Sequence, residues 1–437
     1  MRQAFLALMT AMTPRLSRNN VAPFVSLFLS YCASAMTHIY DDIRLHSLDF
    51  LNLWMGAFAV QIVESHTRIL PQFLSLLSNF DQKAVQSQTA SLVSNPSGRL
   101  GSSKSRISVL SCLFQYLDAS ITQQRATSWF DLFRRTDSSA TVDGPVVRWT
   151  PTTQFHSVLH GRFPFLDSRP LDLTRSGDQV GVTKDDSTKA TQTFLNHLNL
   201  HNLAHCQQFL TMMMGVLLET WIESVPGVST EFVAANAATN RSSCLLVLEI
   251  ILLLWEHHEA LVRLTPNRRQ SDVAFLQQYG KDMKKHFAPH FPFGSIVVAK
   301  IDTKTAELLR QMNVLFCRVS SLLLVPMREG ADELREKSWQ RACLDFTKSL
   351  LVFTRNAAPL PAELFETLLP VLWRCLVTLP ESDGLVLLRA LVTFGDGAGA
   401  HSNIKKHYLD FISRHYVRIP SFSPFLSALF YSLFSVL

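Results

Sequence analysis

Between Leu308 and Phe434 the apolar residues fall into six successive stripes at helical spacing, and this succession constrains the fold more than any other feature. The first is Leu308, Met312, Leu315, Phe316, Val319, Leu322 and Leu323, stopping at Val325-Pro326. Trp339, Cys343, Phe346, Leu350 and Phe353 follow, ending before Pro359 and Pro361. Leu364, Phe365, Leu368, Leu369, Leu372 and Trp373 make a third, closed by Pro380 and a predicted turn at Ser382-Asp383-Gly384. Leu385, Leu388, Leu391 and Val392 precede a predicted break at Gly395-Asp396-Gly397; Ile404, Tyr408, Phe411 and Ile412 are next, and the stripe from Phe425 is last. A short helix with one apolar stripe cannot close a core alone, whereas stacked hairpins can. The predicted fold is therefore all-α, an α-solenoid of HEAT/armadillo-like helical hairpins. With 16 Gly and 19 Pro against 30 Phe in 437 residues, the chain is too poor in turn formers for an all-β fold.

The N-terminal part repeats the pattern. Asp42, Ile43, Arg44, Ser47, Leu51 and Trp54 match the second helix of a HEAT repeat: an acid where the helix dipole favours it, an aliphatic-Arg pair, then a small residue allowing close approach. Val21 to Met36 is the predicted first helix of that hairpin, and Ile69 to Phe80, opened by Pro71, the next element. Arg44 is expected to bridge to a neighbouring helix. Two segments interrupt the pattern: Gln82 to Arg106, Ser- and Gln-rich with Asn95-Pro96-Ser97-Gly98, and the aperiodic Arg134 to Lys189. The expected organisation is N-terminal repeats over 1–133 with a loop at 82–106, a low-complexity insertion or linker over 134–190, and C-terminal repeats over 191–437.

Catalytic motifs fail on inspection. His197, His201 and His205 fall four apart on one predicted helix beside Cys206, a spacing that can share a metal. His205, however, is in register with Leu195, Leu198, Phe209, Met212 and Val216, as a core histidine would be, and no carboxylate is obvious nearby. Glu256-His257-His258-Glu259 lacks the second histidine of HExxH, since Val262 stands there. Gly98 to Ser105 separates its glycine from Lys104 by two serines, and Gly395 to Gly399 follows a helix rather than a strand. The expectation is no enzyme, no metal and no cofactor.

Arg263, Arg268, Arg269, Lys281, Lys284 and Lys285 form a candidate basic patch interleaved with His286, Phe287, His290 and Phe291, which could stack on RNA bases or point inward. The net charge of +6 is mild, compatible with RNA or an acidic partner. Seven widely spaced cysteines without a CxxC pair read as reduced, mostly buried thiols of a cytosolic or nuclear protein. Cys244 to Trp255 is too short and carries Glu249, and Pro420 to Leu437 has serines opposite its apolar stripe, so no membrane span is expected.

Ser34 to Leu53, SAMTHIYDDIRLHSLDFLNL, carries a family likeness in Ala35, Met36, Thr37, His38, Asp42, Ile43, Arg44, Ser47, Leu48, Phe50 and Leu51. It resembles the pre-rRNA-processing family that contains testis-expressed protein 10 and its fungal counterpart in the Rix complex. Ile69, Leu70, Pro71 and Phe73 look like the family's next helix start, and Leu218 to Pro226 is similar to a downstream segment. The resemblance implies a non-enzymatic scaffold subunit, in the nucleolus and nucleoplasm, beside a larger helical subunit and a WD-repeat subunit. It further implies action on large-subunit pre-ribosomes, support for removal of the second internal transcribed spacer, and indirect engagement of an AAA-type remodelling ATPase. Family members usually open with a Lys-rich tail and an earlier repeat, whereas this chain opens at Met1-Arg2-Gln3, which raises the expectation of a truncated start. The other reading of the same features is a general HEAT-type adaptor in transport or phosphatase assembly.

Overall fold

The computed structural model describes residues 2–63, 66–77, 103–124, 198–226, 237–265, 269–294, 303–324, 338–352, 360–378 and 381–416. Among these residues every regular element is helical and none is a strand. The helices are α1 (Arg2–Met12), α2 (Arg18–Met36), α3 (Asp41–Val63), α4 (His66–Leu77) and α5 (Ser103–Gln124), then α6 (Leu203–Ser224) and α7 (Ala237–Leu264). A run of short helical turns from Gln270 to His290 precedes α8 (Thr303–Ser321), α9 (Ser338–Leu350), α10 (Ala362–Thr378), α11 (Glu381–Gly397) and α12 (Asn403–Tyr416).

Contacts pass from helix to helix in a line. The α2 helix packs on α3, α3 on α5, α5 on α7, α7 on both α6 and α8, α8 on α10, and α10 on α11 and α12. The stripes read from the sequence are what these contacts bury. On α2, Val21, Val25, Leu29, Cys32 and Met36 turn inward, and on α10 Leu364, Phe365, Leu368, Leu369, Leu372 and Trp373 all do. The central member is α7, 28 residues long. Val247, Leu248, Ile250, Ile251, Leu254 and Trp255 are buried around much of its circumference, as befits a helix with neighbours on several sides. That explains the apolar run Cys244–Trp255 without a bilayer, and among the described residues no helix is long and apolar enough to cross a membrane.

Several boundaries differ from the sequence expectation. Pro71 lies inside α4 rather than opening it, five residues past its start at His66. The α5 helix begins at Ser103, so the loop expected through Arg106 ends earlier. Ser382-Asp383-Gly384 is the first turn of α11 instead of a turn between helices. Asp383 there pairs with Arg341 of α9 at 2.9 Å, an acid at the positive end of a helix. The segment 134–190 and the stripe from Phe425 lie outside the described residues.

Gly395 is inside the last turn of α11, not a break, because Tyr408 of α12 occupies the space a side chain would need: a Cβ at Gly395 would stand 2.5 Å from the ring. Lys405 donates to the Gly395 carbonyl at 2.9 Å and lies 3.7 Å from Asp396, placing a cation at the helix C-terminus. Gly395→Ala gains about 1 kcal/mol of helix propensity. The overpacking against Tyr408 costs about 1–3 kcal/mol. A net loss of stability is expected in urea unfolding, and a more stable variant would mean that Tyr408 moves freely.

Candidate docking surfaces and the buried polar belt

The family motif at Ser34–Leu53 is a helix end, a turn and a helix start. Met36 closes α2, buried. The helix ends as the Thr37 backbone N–H donates to the Ala33 carbonyl and that of His38 to Ala35, while the Thr37 hydroxyl donates to the Ser34 carbonyl at 3.0 Å. His38 Nδ1 accepts the Tyr40 N–H at 3.1 Å, so the imidazole shapes the turn. The Tyr40 carbonyl then accepts the first N–H groups of α3, from Ile43 and Arg44. Asp41 and Asp42 stand in the first turn, where free N–H groups favour carboxylates.

Arg44 is buried and pairs with Asp41 of its own helix. Ser47 is buried with its hydroxyl bonded to the Arg44 carbonyl at 2.6 Å. Leu48 and Leu51 enter the core, and Phe50 meets Phe5 of α1 with ring centres 5.5 Å apart. Ala35 and Ile43 are half-buried. The exposed residues of the turn are Thr37, Ile39, Tyr40, Asp41 and Asp42.

The metal reading of the histidines assumed one helix. Instead α6 starts at Leu203, capped by Asn202, whose side chain accepts the N–H groups of Ala204 and His205. His205 Nδ1 accepts from the Asn199 N–H at 3.2 Å, and His197 lies outside the described residues. Among the described residues no group of three His, Cys, Asp or Glu side chains is placed to hold a metal. The seven cysteines are all buried without disulfides, and burial pushes Cys32, Cys206, Cys244 and Cys375 up to about 12, so they are unreactive thiols.

The candidate basic patch is divided. Arg263 faces inward to Glu259 at 2.8 Å, while Arg269, Lys281, Lys284 and Lys285 are exposed. Arg268 lies outside the described residues. The aromatic rings between them point inward: Phe287 is fully buried, stacked on Trp221 at 4.2 Å, and Phe291 packs on Phe316 and Phe346. What these turns present most openly to solvent is the cations, with Phe287 buried and His286, His290 and Phe291 half-buried.

The sequence reading missed the role of Glu256-His257-His258-Glu259. Each of these four neighbours on α7 reaches a different element. Glu256 takes a two-pronged bond from Arg318 of α8, at 2.6 and 2.9 Å. His257 Nε2 meets the Leu200 carbonyl at 3.0 Å. His258 Nε2 lies 3.3 Å from Gln207 of α6, which also donates to Asp272. Glu259 accepts from Arg374 of α10 at 2.7 Å and from Arg263. Arg374 also donates to Ser321 of α8 at 3.2 Å. The result is a polar belt tying α6, α8 and α10 to α7. Burial alone would raise the Glu259 carboxyl, but the guanidinium groups of Arg374 and Arg263 outweigh it and hold it at about 2.

His258 behaves oppositely: burial holds its imidazole down to about 4, although Asp272 and Glu259 pull upward. The unfolded chain therefore binds a proton between about pH 6.5 and 4 that the folded one refuses. Stability from this group is complete above about 6.5 and is lost as pH falls toward 4, by at most about 3 kcal/mol. His258→Gln should flatten the stability profile over that window; an unchanged slope would place the proton elsewhere.

The molecule is thus an all-helical stack whose polar chemistry, among the described residues, is spent on joining helices. Comparison with known proteins places it more closely. Residues 19–117 match a family described as "Rix1 complex component involved in 60S ribosome maturation", so the resemblance carried by the motif at Ser34–Leu53 stands. The similarity continues beyond it: a curated zebrafish (Danio rerio) protein, "Testis-expressed protein 10 homolog", is 24% identical over 459 residues, covering 95% of this chain. The chain spans 46% of that relative's length.

Proposed function

We propose that this chain is a non-catalytic scaffold subunit, built as an α-solenoid of HEAT-type hairpins, that serves maturation of the large ribosomal subunit in the nucleus. The match of residues 19–117 to a component of a 60S maturation complex carries the reading. The helix-to-helix line of contacts supports the solenoid, because each unit in such a fold packs mainly on its neighbours. A long exposed surface holds several partners in fixed relation. The partners proposed are a larger helical subunit and a WD-repeat subunit of the same complex, with an AAA-type remodelling ATPase engaged indirectly on the pre-ribosome. The division into repeats over 1–133 and 191–437, with a linker at 134–190, belongs to the same proposal. So does a structural role for the motif residues, and so does the action on the second internal transcribed spacer.

Direct contact with pre-ribosomal RNA, if made through Arg269, Lys281, Lys284 and Lys285, uses phosphates rather than base stacking, since Phe287 is buried. Affinity purification of the tagged chain from nuclear extract tests the proposal. Large-subunit precursors and a WD-repeat protein should copurify in near-stoichiometric amounts. Transport or phosphatase subunits in their place would favour the general adaptor.

A further inference from the structure

The helical turn over Gln270–Ala274 has none of its five residues buried. It is held to the stack through Asp272, which accepts the Arg269 N–H at 3.1 Å and a bond from Gln207 of α6 at 3.3 Å. Ser271 is exposed on this turn, and among the described residues its hydroxyl makes no hydrogen bond. Other exposed hydroxyls, such as those of Thr10, Thr211 and Ser242, bond back to a carbonyl of their own helix. In the sequence Arg268 and Arg269 stand three and two places ahead of Ser271, and Arg-Arg-x-Ser/Thr occurs nowhere else in the chain. Two guanidinium groups at that distance from a serine are what the carboxylate-lined grooves of arginine-directed protein kinases bind. Such grooves take their substrate extended, and a single turn that buries no side chain opens at little cost.

The charge of the surrounding turns gives a phosphate at Ser271 its effect. From Arg269 to His290 the exposed charged side chains are Arg269, Lys281, Lys284 and Lys285, with the half-buried Asp272 and Asp282 as the acids against them. A phosphoserine carries about −1.5 to −2 at neutral pH, which offsets about half of that exposed cationic charge. We infer that Ser271 is a phosphorylation site for an arginine-directed protein kinase, and that its phosphate weakens the RNA contact proposed for these turns. In the transfer, Ser271 Oγ attacks the γ-phosphorus of magnesium-bound ATP and the bond from that phosphorus to the β,γ-bridging oxygen breaks. ADP leaves, and the hydroxyl proton passes to the kinase's catalytic base. The site stands on Ser271 and its surroundings, whereas the consequence rests on the phosphate-contact reading given above.

The test begins with the folded full chain, the catalytic subunit of cyclic-AMP-dependent protein kinase and magnesium ATP, read by mass spectrometry. Phosphate should appear at Ser271 and be absent there in Ser271→Ala, and Arg269→Ala should slow its incorporation at least about tenfold. The same phosphopeptide should be present in the protein isolated from its own cells with phosphatases inhibited. A free peptide over residues 264–278 that takes phosphate while the folded chain does not would overturn the site. So would an unchanged rate in Arg269→Ala, or absence of the phosphopeptide from cells. The consequence is read by fluorescence anisotropy with a labelled RNA hairpin. The phosphorylated chain should bind at least about fivefold more weakly than the unmodified one, while kinase-treated Ser271→Ala loses nothing. Undiminished binding by the phosphorylated chain, when Lys281→Glu with Lys284→Glu and Lys285→Glu does lose it, would overturn the switch and leave the RNA contact standing. No loss in either would refute the RNA contact, and the switch with it.

Discussion

Arg374→Met should lower the unfolding free energy by about 3–5 kcal/mol, because it removes one partner of a buried ion pair and leaves the other charge behind. Arg374 is only 7% exposed, and its guanidinium joins Glu259 of α7 and Ser321 of α8 from α10. Arg263 still faces Glu259 in the variant, which moves the expected loss toward the lower end. The methionine keeps much of the aliphatic volume, so the loss reports charge rather than a cavity. A double-mutant cycle with Glu259→Gln isolates the pair and should return a coupling of about 2 kcal/mol. Additive losses would mean that the two residues stabilise their helices separately. Acid should weaken the same link last, since the Glu259 carboxyl protonates only near about 2.

Trp221→Ala should cost as much, about 3–5 kcal/mol, for a different reason. The indole at the end of α6 is fully buried, stacked on Phe287, edge-on to Phe293, with its N–H donating to the His286 carbonyl at 2.9 Å. It is the anchor of the short helical turns between Gln270 and His290, which carry the exposed lysines. Deleting it leaves a cavity and an unsatisfied carbonyl. Trp221→Phe should cost about 1–2 kcal/mol, retaining stacking and losing the hydrogen bond. Chemical denaturation with tryptophan-independent circular dichroism measures both. A small effect for the alanine variant would show that the turns fold onto α6 without it.

Helices were legible in the sequence wherever a one-sided stripe sets the packing. The α10 stripe is buried at each position read, and the helix expected over Val21–Met36 runs from Arg18 to Met36. Their ends were less legible, because Gly and Ser-Asp-Gly signal breaks only by default. Gly395 stays helical since Tyr408 needs its missing side chain, and Asp383 starts a helix since Arg341 and the free N–H groups favour it there. The polar belt was invisible for a plainer reason. Glu256 finds its partner 62 residues away and Glu259 finds Arg374 115 residues away, separations that no local pattern encodes. Read locally, Glu256-His257-His258-Glu259 looked like a failed hydrolase fragment; in three dimensions it joins the central helix to its neighbours. Likewise Asn313 clamps both the N–H and the carbonyl of Phe293, a tertiary contact that its place between stripe positions does not signal.

The central claim, a scaffold role in large-subunit maturation, is tested most directly by rapid depletion of the protein followed by hybridisation of nuclear RNA with probes to the second internal transcribed spacer. The account predicts accumulation of precursors that retain this spacer, with mature large subunits falling and small subunits spared. Normal processing of the spacer after complete depletion, with balanced subunits, would contradict it.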